Sequence, residues 1–545
     1  MILRFEDVSY RYPASDHWSL QNVYLEIEQG QRVLVTGASG SGKSTFCRAC
    51  IGLIPHFHGG EFTGQVVVHG LDTRRHSVFQ LFRHAGLVFQ NPDAQLFNPT
   101  VESELVYGLE SLGLTPAEIE KRLSWAADLV RLDSILSRPP HTLSGGEKQR
   151  VLIGALLALK PQIVILDEPF THLDPENAEL LRTILNGIHS EGISVIVIEH
   201  RLHEVIGDFD RLVVLYEGRV VADGSPRQVL QHDVSQYGIN LPPILRLFRA
   251  SGGTGVPLTV SEALVWLKGN HSLLSPPINP PSPPFSKGGL GGFDDKMPVV
   301  EMNDVWFSYN TTPVLRKVSL TLFRGECVAI VGRNGAGKTT LVKHLNGLLK
   351  PNQGRVAILG HDTLKTPVSK LARHTGFAWQ NPNDQLFQAN VREEVLTGPR
   401  ILQTYDQTWC ETLFNRFQLN SLLGRSPFRL SEGQKKRVSF ASALASQPEL
   451  VILDEPTAGQ DEPFRRELGK LIKELQTEER TVLLVTHDLE FAAEHAGRWI
   501  AMADGGIVAD GRPEEIMADH GAMKKAGLRP TQSFQFFEAI EEKTA

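Results

Sequence analysis

The feature that most constrains this chain is an ordered set of short segments that occurs twice. GASGSGKST spans 37–45 and GRNGAGKTT spans 332–340, and each is followed by QNP, an LS-x-G segment, LDEP and a lone histidine. From LSGGE and LSEGQ onward the two sets lie a constant 287 residues apart. This period far exceeds the ~20 to 50 residues of solenoid or propeller repeats. The sequence therefore predicts two duplicated domains of about 230 to 250 residues, each able to bury a core.

The composition between the repeats indicates the domain limits. Residues 275–295 read SPPINPPSPPFSKGGLGGFDD, rich first in proline and then in glycine, which predicts a semi-extended and then flexible tether rather than a folded insertion. We assign 1–240 to the first domain, 241–297 to a C-terminal appendage and linker, and 298–545 to the second domain.

Composition and charge argue against a nucleic-acid-binding, membrane-spanning or secreted protein. The formal charge is −7, so no strongly basic field argues for a nucleic-acid partner. The longest apolar runs, such as VLIGALLAL at 151–159, are shorter than the ~18 to 20 residues of a membrane span. The N-terminal MILRFEDVSYRY carries charges where a signal peptide needs an apolar stretch. We expect a chain that stays in the cytoplasm.

Cys47 and Cys50 form a CRAC pair, which admits a redox or metal interpretation. The pair falls at i, i+3 on a predicted helix, and no second cysteine pair completes a zinc site. Ordinary helix positions are therefore the favoured interpretation.

Each glycine-rich segment fits G-x-x-x-x-G-K-[ST], follows a strand-like run (RVLVT or CVAIV) and precedes a predicted helix. Glycines let backbone amides approach a polyphosphate, while Lys43 or Lys338 reaches its outer phosphates and Ser44 or Thr339 offers a hydroxyl to Mg²⁺. The predicted ATP-binding residues here are Gly37, Ser39, Gly40, Gly42, Lys43, Ser44, Thr45, Gly332, Asn334, Gly335, Gly337, Lys338, Thr339 and Thr340.

Two apolar runs, IVIL and VIL, lead directly into an Asp-Glu pair. Such runs are typical of buried parallel strands, whose carboxyl ends are where ligands bind in an open sheet. Alone, an acid pair at a strand end is more often a solvated loop, but the phosphate loops favour catalysis. Asp167 and Asp454 are predicted to hold Mg²⁺, and Glu168 and Glu455 to deprotonate the attacking water.

LSGGE and LSEGQ each precede a basic, helix-forming segment. A serine with glycines at a helix start directs a hydroxyl and bare amides at an anion, although in isolation it would be a simple N-cap. With these segments in place, both halves resemble the ATP-binding-cassette (ABC) family: phosphate loop, Q-loop, signature, Asp-Glu strand, D-loop and switch histidine occur in order. The resemblance covers almost the whole chain outside the tether.

The resemblance implies an α/β fold of two P-loop domains in tandem. Each would have a RecA-like, mainly parallel sheet, an antiparallel β subdomain and a helical signature subdomain. It also implies head-to-tail packing, with each ATP between the phosphate loop of one domain and the signature of the other. The residues carried over are the adenine platforms Tyr12 and Tyr309, the metal- and water-contacting Gln90 and Gln380, the signature residues Ser144, Gly146, Ser431 and Gly433, the D-loop residues Asp174 and Asp461, and the γ-phosphate contacts His200 and His487.

Two signature residues depart from the consensus: Glu432 replaces its first glycine and Glu147 its glutamine. A carboxylate within ~4 Å of phosphate would cost about 1 to 4 kcal/mol, whereas one facing solvent would cost almost nothing. We expect a small effect, because an acid in the first turn of a helix is otherwise favourable.

QNPDAQLFNPTVESELVYG from Gln90 and QNPNDQLFQANVREEVLTG from Gln380 resemble the Q-loop segment of energy-coupling factor (ECF) importers for vitamins and metal ions. That resemblance implies a peripheral ATPase on the cytoplasmic face, gripping a transmembrane coupling subunit that binds a membrane-embedded substrate-capture subunit. We expect exposed Leu96–Phe97 and Leu386–Phe387 pairs to anchor that partner. Generic cassette loops remain one alternative, and a soluble ATPase acting on ribosomes or nucleic acid is another.

Overall fold

The computed structural model describes residues 1–13, 15–171, 173–269 and 297–544. The chain divides into two compact units, Met1–Asn270 and His271–Ala545, which we call the first and second unit. The predicted tether at 275–295 lies outside the described residues. The limits of 1–240 and 298–545 stay a prediction.

The first unit contains strands and helices in alternation. Its strands are β1 (Leu3–Arg11), β2 (Leu20–Ile27), β3 (Arg32–Thr36), β4 (Glu61–Val68), β5 (Leu71–Asp72), β6 (Ala85–Val88), β7 (Ile163–Asp167), β8 (Ser194–Ile198), β9 (Arg211–Tyr216) and β10 (Arg219–Gly224). Its helices are α1 (Lys43–Cys50), α2 (Leu53–His56), α3 (Val78–Leu81), α4 (Val101–Ser111), α5 (Pro116–Leu129), α6 (Gly145–Ala158), α7 (Pro175–Ser190), α8 (Pro226–Gln231), α9 (Pro243–Ala250) and α10 (Val260–Gly269).

The second unit repeats this order. Its strands are β11 (Pro298–Tyr309), β12 (Thr312–Phe323), β13 (Cys327–Val331), β14 (Gln353–Ile358), β15 (His361–Asp362), β16 (Thr375–Ala378), β17 (Leu450–Asp454), β18 (Thr481–Val485), β19 (Arg498–Ala503) and β20 (Gly506–Gly511). Its helices are α11 (Lys338–Leu345), α12 (Val368–Leu371), α13 (Val391–Leu402), α14 (Gln407–Arg416), α15 (Glu432–Ala445), α16 (Glu462–Thr477), α17 (Leu489–His495), α18 (Pro513–Ala518), α19 (His520–Ala526) and α20 (Gln532–Thr544).

Each unit is built on a mainly parallel sheet. The strand order is β10-β9-β3-β8-β7-β6 in the first unit and β16-β17-β18-β13-β19-β20 in the second, with β10 and β20 antiparallel to their neighbours. Along β7 every residue is buried, and alternate side chains enter opposite cores: Val164 and Leu166 join one, Ile163 and Ile165 the other. Continuous apolar strands thus fill both faces of the sheet.

A second, antiparallel sheet covers one of these cores. Its order is β2-β1-β4-β5 in the first unit and β12-β11-β14-β15 in the second. Burial alternates along β2, as expected for a strand with one wet face. Phe5 of β1 stacks on Phe46 of α1 at 4.9 Å between ring centroids, which joins this sheet to the helix after the phosphate loop.

Helices α4 to α6 and α13 to α15 form a helical layer in each unit. With the two sheets they make up a parallel-sheet core, an antiparallel subdomain and a helical subdomain, which confirms the predicted fold class. Residues 241–269 carry α9 and α10, and Leu245 of α9 joins a core of the first unit. Among the described residues, none of the helices has the length and apolar character needed to cross a bilayer.

Candidate active site

The phosphate loops lie between the central strand and the first long helix of each unit. Gly42 and Gly337 stand directly before α1 and α11 with φ of 102° and 98°, a left-handed backbone that favours glycine. A Cβ on Gly42 would lie 2.3 Å from the carbonyl oxygen of Ser19. The motif glycine is therefore required both by its backbone angle and by the close approach of the chain.

Lys43 and Lys338 are pinned over these loops. The Nζ of Lys43 donates to the carbonyl oxygens of Gly37 and Ala38 at 2.8 and 2.9 Å. The Nζ of Lys338 donates to Gly332 and Arg333 at 2.7 and 3.0 Å. Each ammonium group is thus held against the backbone of its own loop.

The space over the loops fits a polyphosphate. A Cβ built on Gly40 or Gly335 meets no described atom within 4 Å, so each loop is open on that side. The first amides of α1 and α11 point to that end of the helix, where anions bind. The predicted ATP-binding residues in the loops before the helices are Gly37, Ser39, Gly40, Gly332, Asn334 and Gly335, and those in the first helical turn are Ser44, Thr45, Thr339 and Thr340.

The predicted metal ligands meet at the ends of β7 and β17. The hydroxyl of Thr339 donates to Asp454 Oδ2 at 3.3 Å, and the hydroxyl of Ser44 hydrogen-bonds to Asp167. Burial and the adjacent glutamate raise the pKa of Asp167 to about 6 and that of Asp454 to about 7. A hydroxyl beside a buried carboxylate is an oxygen donor set that suits Mg²⁺.

The proposed bases have an unusual backbone. Glu168 and Glu455 both have φ of 51°, in the left-handed region that non-glycine residues rarely occupy. Such strain persists only where the surroundings impose it, and it is common at functional sites. In both units it turns the glutamate off the end of the strand, toward the switch histidine.

In the first unit, Glu168 is held from two sides. His200 Nε2 lies 3.2 Å from its Oε1, and Gln90 Nε2 donates to its Oε2 at 2.7 Å. Burial is the largest single influence and would raise the pKa of Glu168, but His200, Lys43 and the hydroxyl of Thr171 together lower that pKa to about 2. The carboxylate is therefore ionised at neutral pH, as a general base must be.

The second unit arranges the same groups differently. His487 Nε2 lies 3.4 Å from Glu455 Oε1, 2.8 Å from Asn334 Oδ1 and 3.4 Å from Lys338 Nζ. The switch histidine here bridges the base and the phosphate loop. Gln380 is exposed, and among the described contacts it has no hydrogen bond to Glu455.

The two aromatic platforms also differ. Tyr12 is half-buried, and its hydroxyl accepts from Arg48 Nη1 at 2.7 Å and lies 3.4 Å from Thr45 Oγ1. Tyr309 is 45% exposed and packs edge-on against Phe307, with 4.9 Å between centroids. The geometry places Tyr12 directly against the helix that follows the phosphate loop.

The signature serines cap α6 and α15. Each accepts a hydrogen bond from the backbone three residues on, Ser144 from Glu147 and Ser431 from Gln434, both at 3.3 Å. Ser144 Oγ also donates to the carboxylate of Glu147 at 2.8 Å. The nearby glycines are Gly146, which is buried, and Gly433, which is half-buried.

The carboxylate of Glu432 is engaged within its own unit. Its Oε1 lies 2.8 Å from Lys435 Nζ, and its Oε2 accepts from Asn383 Nδ2 at 3.4 Å. The carboxylate therefore lies between Lys435 of its own helix and Asn383 of the QNP turn.

The D-loop aspartates cap the helices α7 and α16. Asp174 accepts from the backbone and side chain of Asn177 at 2.9 and 2.8 Å. Asp461 pairs with Arg437 of α15 at 3.1 Å, and both side chains are 7% exposed. In the second unit a buried ion pair thus joins the signature helix to the D-loop.

The segments after Gln90 and Gln380 present one aromatic ring each. Phe97 and Phe387 are both 67% exposed. The expectation that whole Leu-Phe pairs are exposed is wrong: Leu386 is 4% exposed within a core, and Leu96 packs partly buried against one. Consecutive side chains diverge in an irregular segment, so the leucine anchors the turn and the phenylalanine faces outward.

Sequence reasoning missed two carboxylates that shape these turns. Glu104 is 7% exposed and accepts from the amides of Phe97 and Asn98 at 3.3 and 2.8 Å. Glu394 is 2% exposed and accepts from the amides of Phe387 and Gln388 at 2.8 and 2.7 Å. Their shared place one helical turn into VESE and VREE is a faint signal for this role.

Sequence reasoning also missed Glu199, which precedes the switch histidine of the first unit. It is 1% exposed and accepts from the amides of Phe170, His200 and Arg201 at 3.1, 2.8 and 3.2 Å. It joins the segment after the Asp-Glu pair to the switch histidine. The signal was the change from THD in the second half to EHR in the first.

Together, the phosphate loops, the buried aspartates beside a hydroxyl, the strained glutamates and the capped signature helices define a P-loop nucleotide-hydrolysing protein with the cassette signature. The family model described as "ABC transporter" matches residues 20–171 and 315–458. The chain belongs to this family. It is an ATPase that uses ATP and Mg²⁺.

Relatives match the chain over almost its whole length. A protein of Methanosarcina mazei named "Putative ABC transporter ATP-binding protein" is 36% identical over 543 residues, covering 97% of this chain and 92% of the relative. One of Caldanaerobacter subterraneus is 33% identical over 536 residues, covering 96% and 94%. The solved structure of cbiO1 from Clostridium perfringens, described as part of the ABC transporter complex cbiONQ, is 30% identical and covers 44% of this chain and 99% of its own, at a TM-score of 0.37.

Proposed function

We propose that this chain is the energy-coupling ATPase of an ECF-type importer for a vitamin or transition-metal ion. The observation that carries the proposal is the QNP-x-x-QLF segment, present after both Q-loop glutamines and folded in both units as a turn with an exposed phenylalanine. Membership of the ABC transporter family supports a transport role.

The catalytic roles follow from the contacts in each unit. Glu168 and Glu455 accept the proton of the attacking water, while His200 and His487 orient the glutamate and contact the γ-phosphate. Lys43 and Lys338 compensate phosphate charge. Ser44, Asp167 and Gln90 would hold Mg²⁺ in one site, and Thr339, Asp454 and Gln380 in the other, where the ion would add charge compensation for the phosphates.

We further propose that the sites are composite and cross between units. Lys43 and Ser431 would share one nucleotide, and Lys338 and Ser144 the other. The support is the family resemblance of the signature, which completes a site only across two domains, and the presence of both full residue sets in one chain. Asp174 and Asp461 would each lie near the composite site that includes the phosphate loop of the other unit.

A crosslinking experiment tests this arrangement. Ser39→Cys combined with Ser431→Cys should crosslink more readily when ATP is added, whereas Ser39→Cys with Ser144→Cys should not. The native cysteines can stay, because burial raises the pKa of Cys47, Cys50, Cys327 and Cys410 and keeps the thiols unreactive. Crosslinking within one unit instead would contradict the head-to-tail proposal.

The segments that follow Gln90 and Gln380, which we call the coupling turns, have the features of a docking site for a partner helix. Phe97 stacks edge-on against the half-exposed Tyr107 at 5.0 Å, forming a small aromatic patch beside Leu96. Aromatic anchors of this kind dominate binding energy in helix-in-groove contacts. The buried Glu104 and Glu394 fix the backbone of each turn, so a shift at the Q-loop glutamine reaches the ring as a rigid movement.

The partner would be a transmembrane coupling subunit that binds a membrane-embedded substrate-capture subunit. The chain would then lie on the cytoplasmic face of the membrane, held by its partners. The test is affinity isolation of the full chain from detergent-solubilised membranes, followed by identification of the co-purifying proteins. We expect two polytopic membrane proteins.

The matched variants are Phe97→Ala with Phe387→Ala, and Tyr24→Ala as a control on the antiparallel sheet, where Tyr24 is 64% exposed. The phenylalanine pair should lose the membrane proteins and retain basal ATP hydrolysis, while the control retains both. Co-purification of ribosomes or nucleic acid without membrane proteins would contradict the proposed function.

A further inference from the structure

A lysine occupies the same place in both signature helices. Lys148 and Lys435 are the fourth residues of α6 and α15, and their side chains are only 16% and 12% exposed. The aliphatic part of each side chain packs against the protein, while the ammonium group pairs with acceptors at or near the surface. The two units provide these acceptors with different residues.

In the first unit the carboxylate comes from the QNP turn. Lys148 Nζ lies 2.6 Å from Asp93 Oδ1, and Asp93 belongs to the 3-10 turn Pro92–Ala94 directly after Gln90. The ion pair therefore ties the first turn of the signature helix to the Q-loop.

In the second unit the same turn position is Asn383, which is neutral. Its Oδ1 still accepts from Lys435 Nζ at 2.8 Å, but the charge partner is Glu432, whose Oε1 lies 2.8 Å from Nζ. Glu432 Oε2 accepts in turn from Asn383 Nδ2 at 3.4 Å. Lysine, glutamate and asparagine close a ring that again joins helix and turn.

The carboxylate has thus moved from the turn to the helix. The first unit has Asp93 in the turn and Gly145 at the helix start, and the second has Asn383 in the turn and Glu432 at the helix start. The next residue of the second turn, Asp384, is exposed and forms no ion pair with Lys435 among the described contacts. We infer that Glu432 is a positioning residue that takes the role of Asp93, whose equivalent position is Asn383, and keeps the signature helix latched to the Q-loop. We call the two contact sets, Lys148–Asp93 and Lys435–Glu432–Asn383, the signature latches.

The latch assigns a structural role to Glu432, which the signature consensus alone does not predict. It holds the helix capped by Ser431 against the turn that follows Gln380, so the two groups move as one body when ATP binds or leaves. The inference rests on the proposed roles of Ser431 and Gln380 in ATP turnover.

The decisive experiment is a charge relocation in the full-length chain. Glu432→Gly should lower the kcat of ATP hydrolysis by about 3- to 10-fold with little change in KM, because the phosphate loops are untouched. Adding Asn383→Asp recreates the first-unit arrangement and should restore kcat to within about 2-fold of wild type. The reverse pair, Asp93→Asn followed by Gly145→Glu, should fall and recover in the same way.

Glu118→Gly is the matched control. Glu118 also lies in the first turn of a helix, pairs with an arginine at 2.7 Å and is 35% exposed, against 34% for Glu432. Its loss should leave kcat within about 2-fold of wild type. If Glu432→Gly does not fold, Glu432→Gln, which keeps helix propensity, carries the same comparison with and without Asn383→Asp.

The results distinguish a failure of the latch from a failure of the proposed catalytic roles. A Glu432→Gly chain with unchanged or raised kcat, or a folded double variant that does not recover, would overturn the latch. Glu168→Gln with Glu455→Gln serves as the reference: an inactive reference with a failed rescue refutes the latch alone, whereas a reference at the wild-type rate refutes the proposed catalytic roles.

Discussion

The two units of this chain keep the same catalytic groups in place with different neighbours. In both, a lysine bridges two loop carbonyls, a glutamate with φ of 51° follows the strand, and a histidine lies within 3.4 Å of that glutamate. The contacts around these groups differ. In the first unit Gln90 hydrogen-bonds to Glu168, whereas in the second His487 hydrogen-bonds to Asn334 of the phosphate loop. The groups proposed to contact the nucleotide are retained, while the contacts that support them differ between the units.

Relocation of an acidic side chain is the recurrent form of that difference. Next to the switch histidine, the first unit has the buried Glu199. The second unit has Thr486 at that position, and its nearby acid is Asp488, which accepts a hydrogen bond from the hydroxyl of Thr457 at 2.9 Å. At the signature latch, Asp93 is replaced by Glu432. An acidic side chain is thus kept at a place in the fold, not at a position in the sequence.

The largest expected effect is on ATP binding. Lys43→Ala with Lys338→Ala removes both ammonium groups from the loops, and ATP affinity should fall about 100-fold, roughly 3 kcal/mol. Titration with a fluorescent ATP analogue measures it. The exposed Lys470→Ala is the control and should bind normally.

The single variants Lys43→Ala and Lys338→Ala should differ in their effect on turnover. Since Lys338 Nζ lies 3.4 Å from His487 Nε2, its loss also disturbs the switch histidine. We expect Lys338→Ala to lower kcat more than Lys43→Ala does. Equal kcat values would show that the contact with His487 has no role in turnover.

The next effect is the pH dependence that Glu199 contributes in the first unit. Burial raises the pKa of Glu199 to about 7, from an ordinary value near 4.5 in the unfolded chain. The folded state holds the proton more tightly, so its stability is retained below that unfolded pKa and falls as pH rises through about 7. Glu199→Gln has no titrating group, so its stability relative to wild type should increase by about 2 kcal/mol between pH 5.5 and 8.5.

Denaturant unfolding of the first unit, followed at both pH values, measures this change. Thr486→Val at the matching position of the second unit should give a pH-independent effect. A relative stability of Glu199→Gln that does not change with pH would mean that Glu199 is ionised throughout.

A smaller effect separates the two coupling turns. Glu104→Ala and Glu394→Ala each leave two backbone amides without their acceptor, and both should speed amide exchange in their own turn. Since the contacts of Glu394 are shorter, its loss should destabilise its turn by about 1 kcal/mol more. Hydrogen-exchange mass spectrometry of 95–99 and 385–389 measures this, with Glu118→Ala as control. Equal exchange in both variants would remove the distinction.

Sequence predicted the elements whose pattern is local. The strand, glycine loop and helix around Lys43 are specified by contiguous residues, and apolar runs such as IVIL specify the buried strands. The capping of α6 by Ser144 follows from its spacing to Glu147.

The remaining features depend on contacts between distant segments. The acid of Glu104 sits in a helix that reads as partly solvent-facing, and only the fold brings the amides of Phe97 and Asn98 to it. The burial of Leu386 and the partners of Glu432 likewise arise where the Q-loop turn meets another element. Periodicity and motif spacing do not encode such meetings.

The central claim is that both units carry a working hydrolytic centre despite their different surroundings. Its most direct test is the steady-state ATP turnover of Glu168→Gln, Glu455→Gln and the double variant in the full chain. The two single changes should lower kcat to values within about 3-fold of each other, and the double change should lower it at least about 100-fold. One single variant at the wild-type rate beside an inactive other, or a double variant near the wild-type rate, would contradict the claim.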